Sequence, residues 1–136
     1  MLSSAEIQYL LDSAKFSVLW LTTRNKAIIA LMLDSGIRQN EVCTLVKKGL
    51  DFDRGALQVT GKVSKDRLVP LGYISKMLLE DYLSQCPYKD VDYVFCGRMG
   101  NQISRNAIKV FMNRLKHQIP FDISSHKLRH NFATNF

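Results

Sequence analysis

The spacing of apolar residues changes twice along this chain, and that change constrains the fold more than any other feature. Up to Val46 the spacing is that of helices, and helical spacing returns at Tyr73. Between them lie short segments rich in strand formers, separated by turn signals. The pattern predicts an α+β fold that is mainly α-helical with a small three-stranded antiparallel sheet. We expect the strands at Leu50-Asp51-Phe52, Ala56 to Thr60 and Arg67 to Leu71.

Capping and stop signals place the helix boundaries. Ser3-Ser4-Ala5-Glu6 predicts a short helix that runs to about Lys15. Gly36 is placed to end a second helix, whose apolar residues are dense enough to predict burial on several sides. Pro70 indicates a strand end or an edge strand. The other predicted elements are a second-helix start at Thr22-Thr23-Arg24, a short third helix with Val42, Leu45 and Val46 inward, a helix from Tyr73 to Gln85, an extended piece at Val94-Phe95, a helix from a Ser104 cap to about His117, and a last helix after Ser124 or Ser125.

Composition narrows the class of protein. The length of 136 residues suits a single domain over residues 1–136. A net charge of +7 indicates a polyanion partner, and nucleic acid is the first candidate. The longest apolar stretch, Ala27 to Leu33, is too short to span a bilayer, and no secretory signal precedes it. Cys43, Cys86 and Cys96 have no C-x-x-C spacing and suit small buried groups in a reducing cytosol. We therefore expect a cytoplasmic protein.

The first motif is Ser35-Gly36-Ile37-Arg38-Gln39-Asn40-Glu41, with Arg38 at the mouth of a helix. A guanidinium is permanently charged, and its planar fork matches a phosphate at two points. A helix N-terminus adds N–H donors and a partial positive charge. Taken alone, Arg38 is better explained as a surface arginine paired with Glu41 at i+3, an interaction worth little.

The second motif, Thr60-Gly61-Lys62-Val63-Ser64-Lys65-Asp66-Arg67, is a basic turn between two predicted strands. Taken alone, it reads as a solvated turn with a charge run.

The third motif is His126-Lys127-Leu128-Arg129-His130 at the start of the last predicted helix. Residues three apart share a helix face, so His126 and Arg129 would be presented together while Leu128 faces the core. The alternative is a helix-start pair that makes only local hydrogen bonds.

Together and in this order, the three motifs resemble the catalytic domain of the tyrosine recombinases, the phage integrase family. The run from His126 to Thr134 follows the family pattern H-x-L-R-H-x-F-A-T. The resemblance extends from about Glu6 to Thr134, and it implies the recombinase catalytic-core fold.

The resemblance also implies roles for these residues. In the family a tyrosine attacks the scissile phosphate to form a 3′-phosphotyrosyl link, without metal or cofactor, and a 5′ hydroxyl later reverses the link. The resemblance makes Arg38 and Arg129 the phosphate clamp, Lys62 the acid for the leaving 5′ hydroxyl, His126 its acid/base assistant, Glu41 a support for Arg38, His130 a supporting residue, and Lys65 and Arg67 residues for DNA-backbone contact and positioning.

A helix near residue 104 lies against the DNA backbone in the family. The resemblance therefore assigns Ser104, Arg105 and Asn106 to DNA binding, because a capped helix start is a ready phosphate site. The implied partners are double-stranded DNA and further recombinase protomers, which form a tetramer on DNA. If the protein is bacterial, nucleoid association is expected.

The nucleophile is the part of the family pattern that finds no match. All five tyrosines precede His126, whereas the family nucleophile follows that histidine. We therefore expect a partial catalytic domain, without the family's N-terminal DNA-clamping domain or its tyrosine segment, that binds DNA but does not cleave it alone. A non-catalytic DNA-binding module, such as a regulatory or decayed relative, and a protein-interaction domain remain open alternatives.

Overall fold

The architecture is α+β with helices predominant, as the sequence predicts. The computed structural model describes residues 2–13, 18–60 and 66–118. Its elements in chain order are α1 (Ser4–Ser13), α2 (Leu19–Ser35), α3 (Gln39–Thr44), a 3-10 turn (Lys47–Gly49), β1 (Leu50–Asp51), β2 (Ala56–Thr60), β3 (Asp66–Pro70), α4 (Tyr73–Gln85) and α5 (Arg105–Gln118). The last predicted helix lies outside the described residues.

Helix α2 forms the centre of the core. Its residues from Ala27 to Met32 are each at most 4% exposed, so this part of the helix is buried on every side, as its dense apolar sequence predicts. It packs against α1, α4 and β3. Gly36 ends it in the left-handed region (φ 66°, ψ 24°), as predicted. The chain therefore leaves the core at Gly36 and turns directly into the loop that carries Arg38.

The predicted start of α2 is wrong by one turn. The helix begins at Leu19 rather than at Thr22. The two threonine hydroxyls do not cap it, because they donate back to carbonyls of the same helical turn: Thr22 to Val18 at 3.4 Å and Thr23 to Trp20 at 2.8 Å.

The sheet is antiparallel with strand order β1-β2-β3. Leu57, Val59 and Val69 are buried, whereas Leu68, which alternates with Val69, is 73% exposed. One face of the sheet therefore packs on the core. Pro70 is the last residue of β3, which is an edge strand, so both predictions for that proline are confirmed. The Ser35 hydroxyl donates to the Pro70 carbonyl at 2.6 Å, which ties the end of α2 to the end of the sheet.

Other sequence predictions are also confirmed. Ser3 and Glu6 cap α1 reciprocally: the Glu6 N–H donates to Ser3 Oγ at 3.1 Å, and the Ser3 N–H donates to the Glu6 carboxylate at 2.9 Å. Helix α4 spans Tyr73–Gln85, the predicted range. The three cysteines are buried and free, and α5 buries Ile108, Phe111, Met112 and Leu115. Across the described ranges, no helix has the length and apolar character needed to cross a bilayer.

Candidate functional site

Arg38 stands in a loop whose backbone is fixed from both sides. The preceding Ile37 is fully buried, and Arg38 itself is the extended N-cap residue of α3 (φ −91°, ψ 161°). The Arg38 N–H donates to Glu41 Oε1 at 2.8 Å, and its carbonyl accepts the N–H of Val42 at 2.9 Å. The Arg38 side chain is exposed. The structure therefore presents a solvent-facing guanidinium on an ordered backbone.

Glu41 is the buried acceptor behind this loop. It is 7% exposed, and its carboxylate accepts hydrogen bonds from both terminal nitrogens of Arg67. Arg67 Nη1 donates to Oε2, and Nη2 donates to Oε1 at 3.0 Å. Burial by itself would raise the pKa of Glu41, but the hydrogen bonds from Arg67 and from the Arg38 amide outweigh it and lower that pKa. The same bond raises the pKa of Arg67. Both groups are therefore held in their charged forms.

The interpretation of Arg38 as a surface partner of Glu41 is not supported. Among the described residues the carboxylate of Glu41 forms its ion pair with Arg67. Arg38 donates its main-chain N–H to that carboxylate, and its positive charge has a smaller effect that also lowers the pKa of Glu41. The exposed guanidinium of Arg38 thus makes no ion pair with Glu41. The buried carboxylate that accepts the Arg38 N–H is therefore already paired with another arginine.

The β2–β3 hairpin brings the second motif to the same region. Thr60 and Asp66 form the last pair of the β2–β3 ladder, next to the connection between the two strands. The Thr60 hydroxyl donates to Asp66 Oδ1 at 3.1 Å. Gln58 Nε2 donates to the other oxygen of that carboxylate at 2.7 Å. Residues 61–65, which include Lys62 and Lys65, connect these two strand ends and lie outside the described residues.

The start of α5 lies close to α3. Ser104 caps α5 as predicted, because its hydroxyl accepts the N–H of Ala107 at 3.1 Å. The two helices are in contact, and Gln102 Nε2 donates to the Cys43 carbonyl at 2.5 Å. Burial raises the pKa of the Cys43 thiol, and the nearby positive charge of Arg105 partly offsets this rise. The exposed residues Ser104, Arg105 and Asn106 thus share a neighbourhood with the Arg38 helix.

Of the predicted site residues, the structure brings Arg38, Glu41 and Arg67 together, and it places the start of α5 near Cys43 of α3. Lys62, Lys65, His126, Arg129 and His130 lie outside the described residues, so the convergence of two arginines, a lysine and a histidine on one phosphate stays a prediction.

Sequence reasoning missed the direct bond between Glu41 and Arg67. No local motif joins residues 26 positions apart. One signal was available: Arg67 is two residues before Val69, so the alternation of a strand places both on the same face of the sheet.

The sequence matches the phage integrase family over residues 1–136. Tyrosine recombinase XerC of Rickettsia peacockii (strain Rustic) is 32% identical over 126 residues, covering 88% of this chain and 40% of the relative. The crystal structure of XerA recombinase matches with a TM-score of 0.82 and 27% identity, over 98% of this chain and 49% of that one. XerH site-specific recombinase bound to a palindromic difH substrate, in a post-cleavage complex, matches with a TM-score of 0.77 and 25% identity, over 98% of this chain and 40% of that one.

The chain thus spans about 40% of the length of the XerC relative and about half that of the XerA chain. The family match extends over the whole of the present sequence, and the fold agrees with that of solved recombinases over nearly all of it. The chain therefore belongs to the phage integrase family, the tyrosine recombinases.

Proposed function

We propose that this chain is the catalytic-domain region of a site-specific DNA recombinase. In the full-length protein it breaks and rejoins DNA strands through a 3′-phosphotyrosyl intermediate. Residues 1–136 act as one domain in this proposal. Its partners are double-stranded DNA and further recombinase protomers, and it works in the cytoplasm, at the nucleoid in a bacterium. The support is family membership, the net charge of +7 and the arrangement around Arg38.

The observation that carries the proposal is the exposed side chain of Arg38 on a fixed backbone. A guanidinium used for transition-state stabilisation must be in place before the reaction, because reorganisation during the reaction would reduce its effect. The amide bond to Glu41 fixes the Arg38 backbone, and Arg67 neutralises that carboxylate. The Arg38 side chain is left to meet a phosphate.

The proposed reaction is a transfer of the scissile phosphate from a DNA 5′ oxygen to a tyrosine. A tyrosine oxygen attacks the scissile phosphorus, its proton passes to a base with His126 assisting, and the P–O5′ bond breaks. Lys62 gives a proton to the departing 5′ oxygen, which an arginine could not readily do. Arg38 and Arg129 neutralise the charge on the non-bridging oxygens. Rejoining is the reverse, with a 5′ hydroxyl as nucleophile, so no external energy source is consumed.

The tyrosines within residues 1–136 are not good candidates for that nucleophile. Tyr82 is fully buried, burial raises its pKa, and its hydroxyl accepts the Cys96 N–H at 3.0 Å. Tyr88 and Tyr93 donate to the carbonyls of Arg98 (3.2 Å) and Gly100 (2.5 Å). Tyr9 on α1 and Tyr73 on α4 are 48% and 78% exposed, but both precede His126, whereas the family nucleophile follows that histidine. We therefore propose that the nucleophile is supplied from outside these residues, and that residues 1–136 alone bind DNA without cutting it.

The test is a covalent-adduct assay on nicked suicide duplexes that have first been selected from a random-sequence pool for binding to this chain. The chain alone should yield no adduct that survives denaturing electrophoresis. Addition in trans of a tyrosine-bearing C-terminal segment from the XerC relative should yield one, and Arg38→Ala should abolish it.

Three outcomes would change the proposal. An adduct formed by the chain alone would show that one of its own tyrosines is the nucleophile. Normal duplex binding without any adduct in trans would favour a non-catalytic DNA-binding module. Oligomers that form equally without DNA, together with no salt-sensitive duplex binding, would favour a protein-interaction domain.

A further inference from the structure

We infer that Arg67 is a positioning residue rather than a phosphate contact. Through its ion pair with Glu41, which we call the Arg67–Glu41 lock, it holds β3 against the loop that carries Arg38. This inference rests on the proposed function only for its purpose in catalysis, because the lock itself is a property of the DNA-free chain.

The position of Arg67 in the sheet determines the direction of its side chain. Arg67 pairs with Val59 across the β2–β3 ladder, two residues from the Leu57–Val69 pair. Val59, Leu57 and Val69 are buried, so Arg67 stands at the margin of the core-facing side of the sheet. Its neighbour Leu68, on the opposite side, is 73% exposed. The Arg67 side chain is therefore directed toward α3 and not outward from the sheet.

The guanidinium of Arg67 is bound by Glu41. Both terminal nitrogens of Arg67 are engaged by the two oxygens of Glu41, a two-point bond that fixes orientation as well as distance. Glu41 is 7% exposed, so the pair is shielded from water on the carboxylate side. The Arg67 side chain itself is 42% exposed, but Glu41 neutralises its charge and engages both of its terminal nitrogens. The pair therefore has little net charge to offer to a DNA phosphate.

The ion pair between Arg67 and Glu41 joins β3 to α3. Arg67 is the second residue of β3, directly after the segment 61–65 that contains Lys62. Glu41 lies in the first turn of α3 and also accepts the Arg38 N–H. One carboxylate thus contacts both the hairpin strand and the backbone of the clamp arginine. Any displacement of the first residues of β3 is therefore transmitted to the Glu41 carboxylate, which holds the Arg38 backbone.

The test measures amide hydrogen exchange at Arg38 in the DNA-free chain, for Arg67→Met, Arg67→Lys and Glu41→Gln. Loss of the lock should raise exchange at the Arg38 amide by about three- to tenfold, the scale of one hydrogen bond. Arg67→Lys keeps the charge but not the two-point geometry, so it should give an intermediate value. A matched control is Arg54→Met, which removes an exposed arginine whose ion pair with Asp51 spans 3.6 Å. It should leave Arg38 exchange unchanged.

Global destabilisation is separated from the local effect by reporting Arg38 exchange relative to that of Ile108, a buried residue of α5. If Arg67→Met does not fold, Arg67→Lys and Glu41→Gln carry the test. In adduct formation with the tyrosine segment in trans, Arg67→Lys should slow the reaction while DNA affinity is kept.

Two results would overturn the inference. The first is an Arg38 amide exchange rate in Arg67→Lys and Glu41→Gln that equals the wild-type rate. The second is a DNA-binding salt slope that falls by about 0.9 for Arg67→Met but not for Arg67→Lys, which is the signature of a direct phosphate contact. Because exchange is measured without DNA, failure of the proposed recombinase function would leave this result intact.

Discussion

Gly100 lies directly against the aromatic ring of Tyr88. A methyl group on the Gly100 α-carbon would stand 2.6 Å from Tyr88 Cδ1. Gly100 also has a φ of 87°, a conformation that side chains disfavour. Its carbonyl accepts the Tyr93 hydroxyl, so both rings converge on the loop that leads to the start of α5.

Gly100→Ala should therefore combine a backbone penalty with a steric clash. We expect a loss of about 2–4 kcal/mol in the free energy of unfolding, measured by chemical denaturation. The matched control is Gly55→Ala. Gly55 has a similar positive φ of 63°, but its added methyl would stand 3.4 Å from the Leu71 carbonyl oxygen. It should lose only about 1–2 kcal/mol. Equal losses would mean that the ring of Tyr88 moves aside freely.

Local chemistry explains which parts of the fold are predictable from the sequence. Gly36 ends α2 because it can adopt a positive φ, and Ser104 caps α5 because its hydroxyl reaches a nearby N–H. These signals act within one helical turn. The start of α2 was not predictable, because Thr22 and Thr23 have two local hydrogen-bonding options and took the one inside the helix.

The residues of the candidate site were predictable from the sequence, but the hydrogen bonds that join them were not. Arg38, Glu41 and Arg67 were each found from family motifs. Their mutual bonds depend on the register of β2 with β3 and on the packing of α3 against β2, which no single motif encodes. Glu41 was expected to support Arg38, but the sequence did not reveal that Arg67 would occupy its carboxylate.

Arg24 should be a structural arginine. It is 7% exposed, Nη1 donates to the Cys96 carbonyl at 3.0 Å, and Nε donates to Asn25 Oδ1 at 3.0 Å. Burial lowers its pKa, but arginine remains charged at neutral pH. Arg24→Met leaves both acceptors unpaired, so we expect a loss of about 2–4 kcal/mol in unfolding free energy. Lys26→Met, on the same helix but half-buried, should change it by less than about 0.5 kcal/mol. Comparable losses in thermal and chemical denaturation of the two variants would contradict this role.

Glu41 should make stability depend on acid pH. Its pKa is lowered in the folded chain, so its stabilising effect is complete above the ordinary value of 4.5 and is lost as the pH falls through the lower folded value. The difference in unfolding free energy between the wild-type chain and Glu41→Gln should therefore be largest near neutral pH and shrink below pH 4.5. Denaturant titrations at a series of pH values measure it. Two curves that stay parallel through this range would show that the carboxylate gains nothing from Arg67.

DNA binding should be salt-dependent in a way that separates Arg105 from Asn106 at the start of α5. Both residues are exposed beside the Ser104 cap, but only arginine displaces a counterion from a phosphate. Arg105→Met should weaken duplex binding and reduce the slope of log affinity against log salt by about 0.9. Asn106→Ala should weaken binding without changing the slope, since it removes an uncharged contact. Arg54→Met removes the same charge from the β1–β2 turn and should leave both quantities near wild type. Fluorescence anisotropy over a range of salt concentrations gives all three slopes, and equal slopes for Arg105→Met and Arg54→Met would remove α5 from the DNA interface.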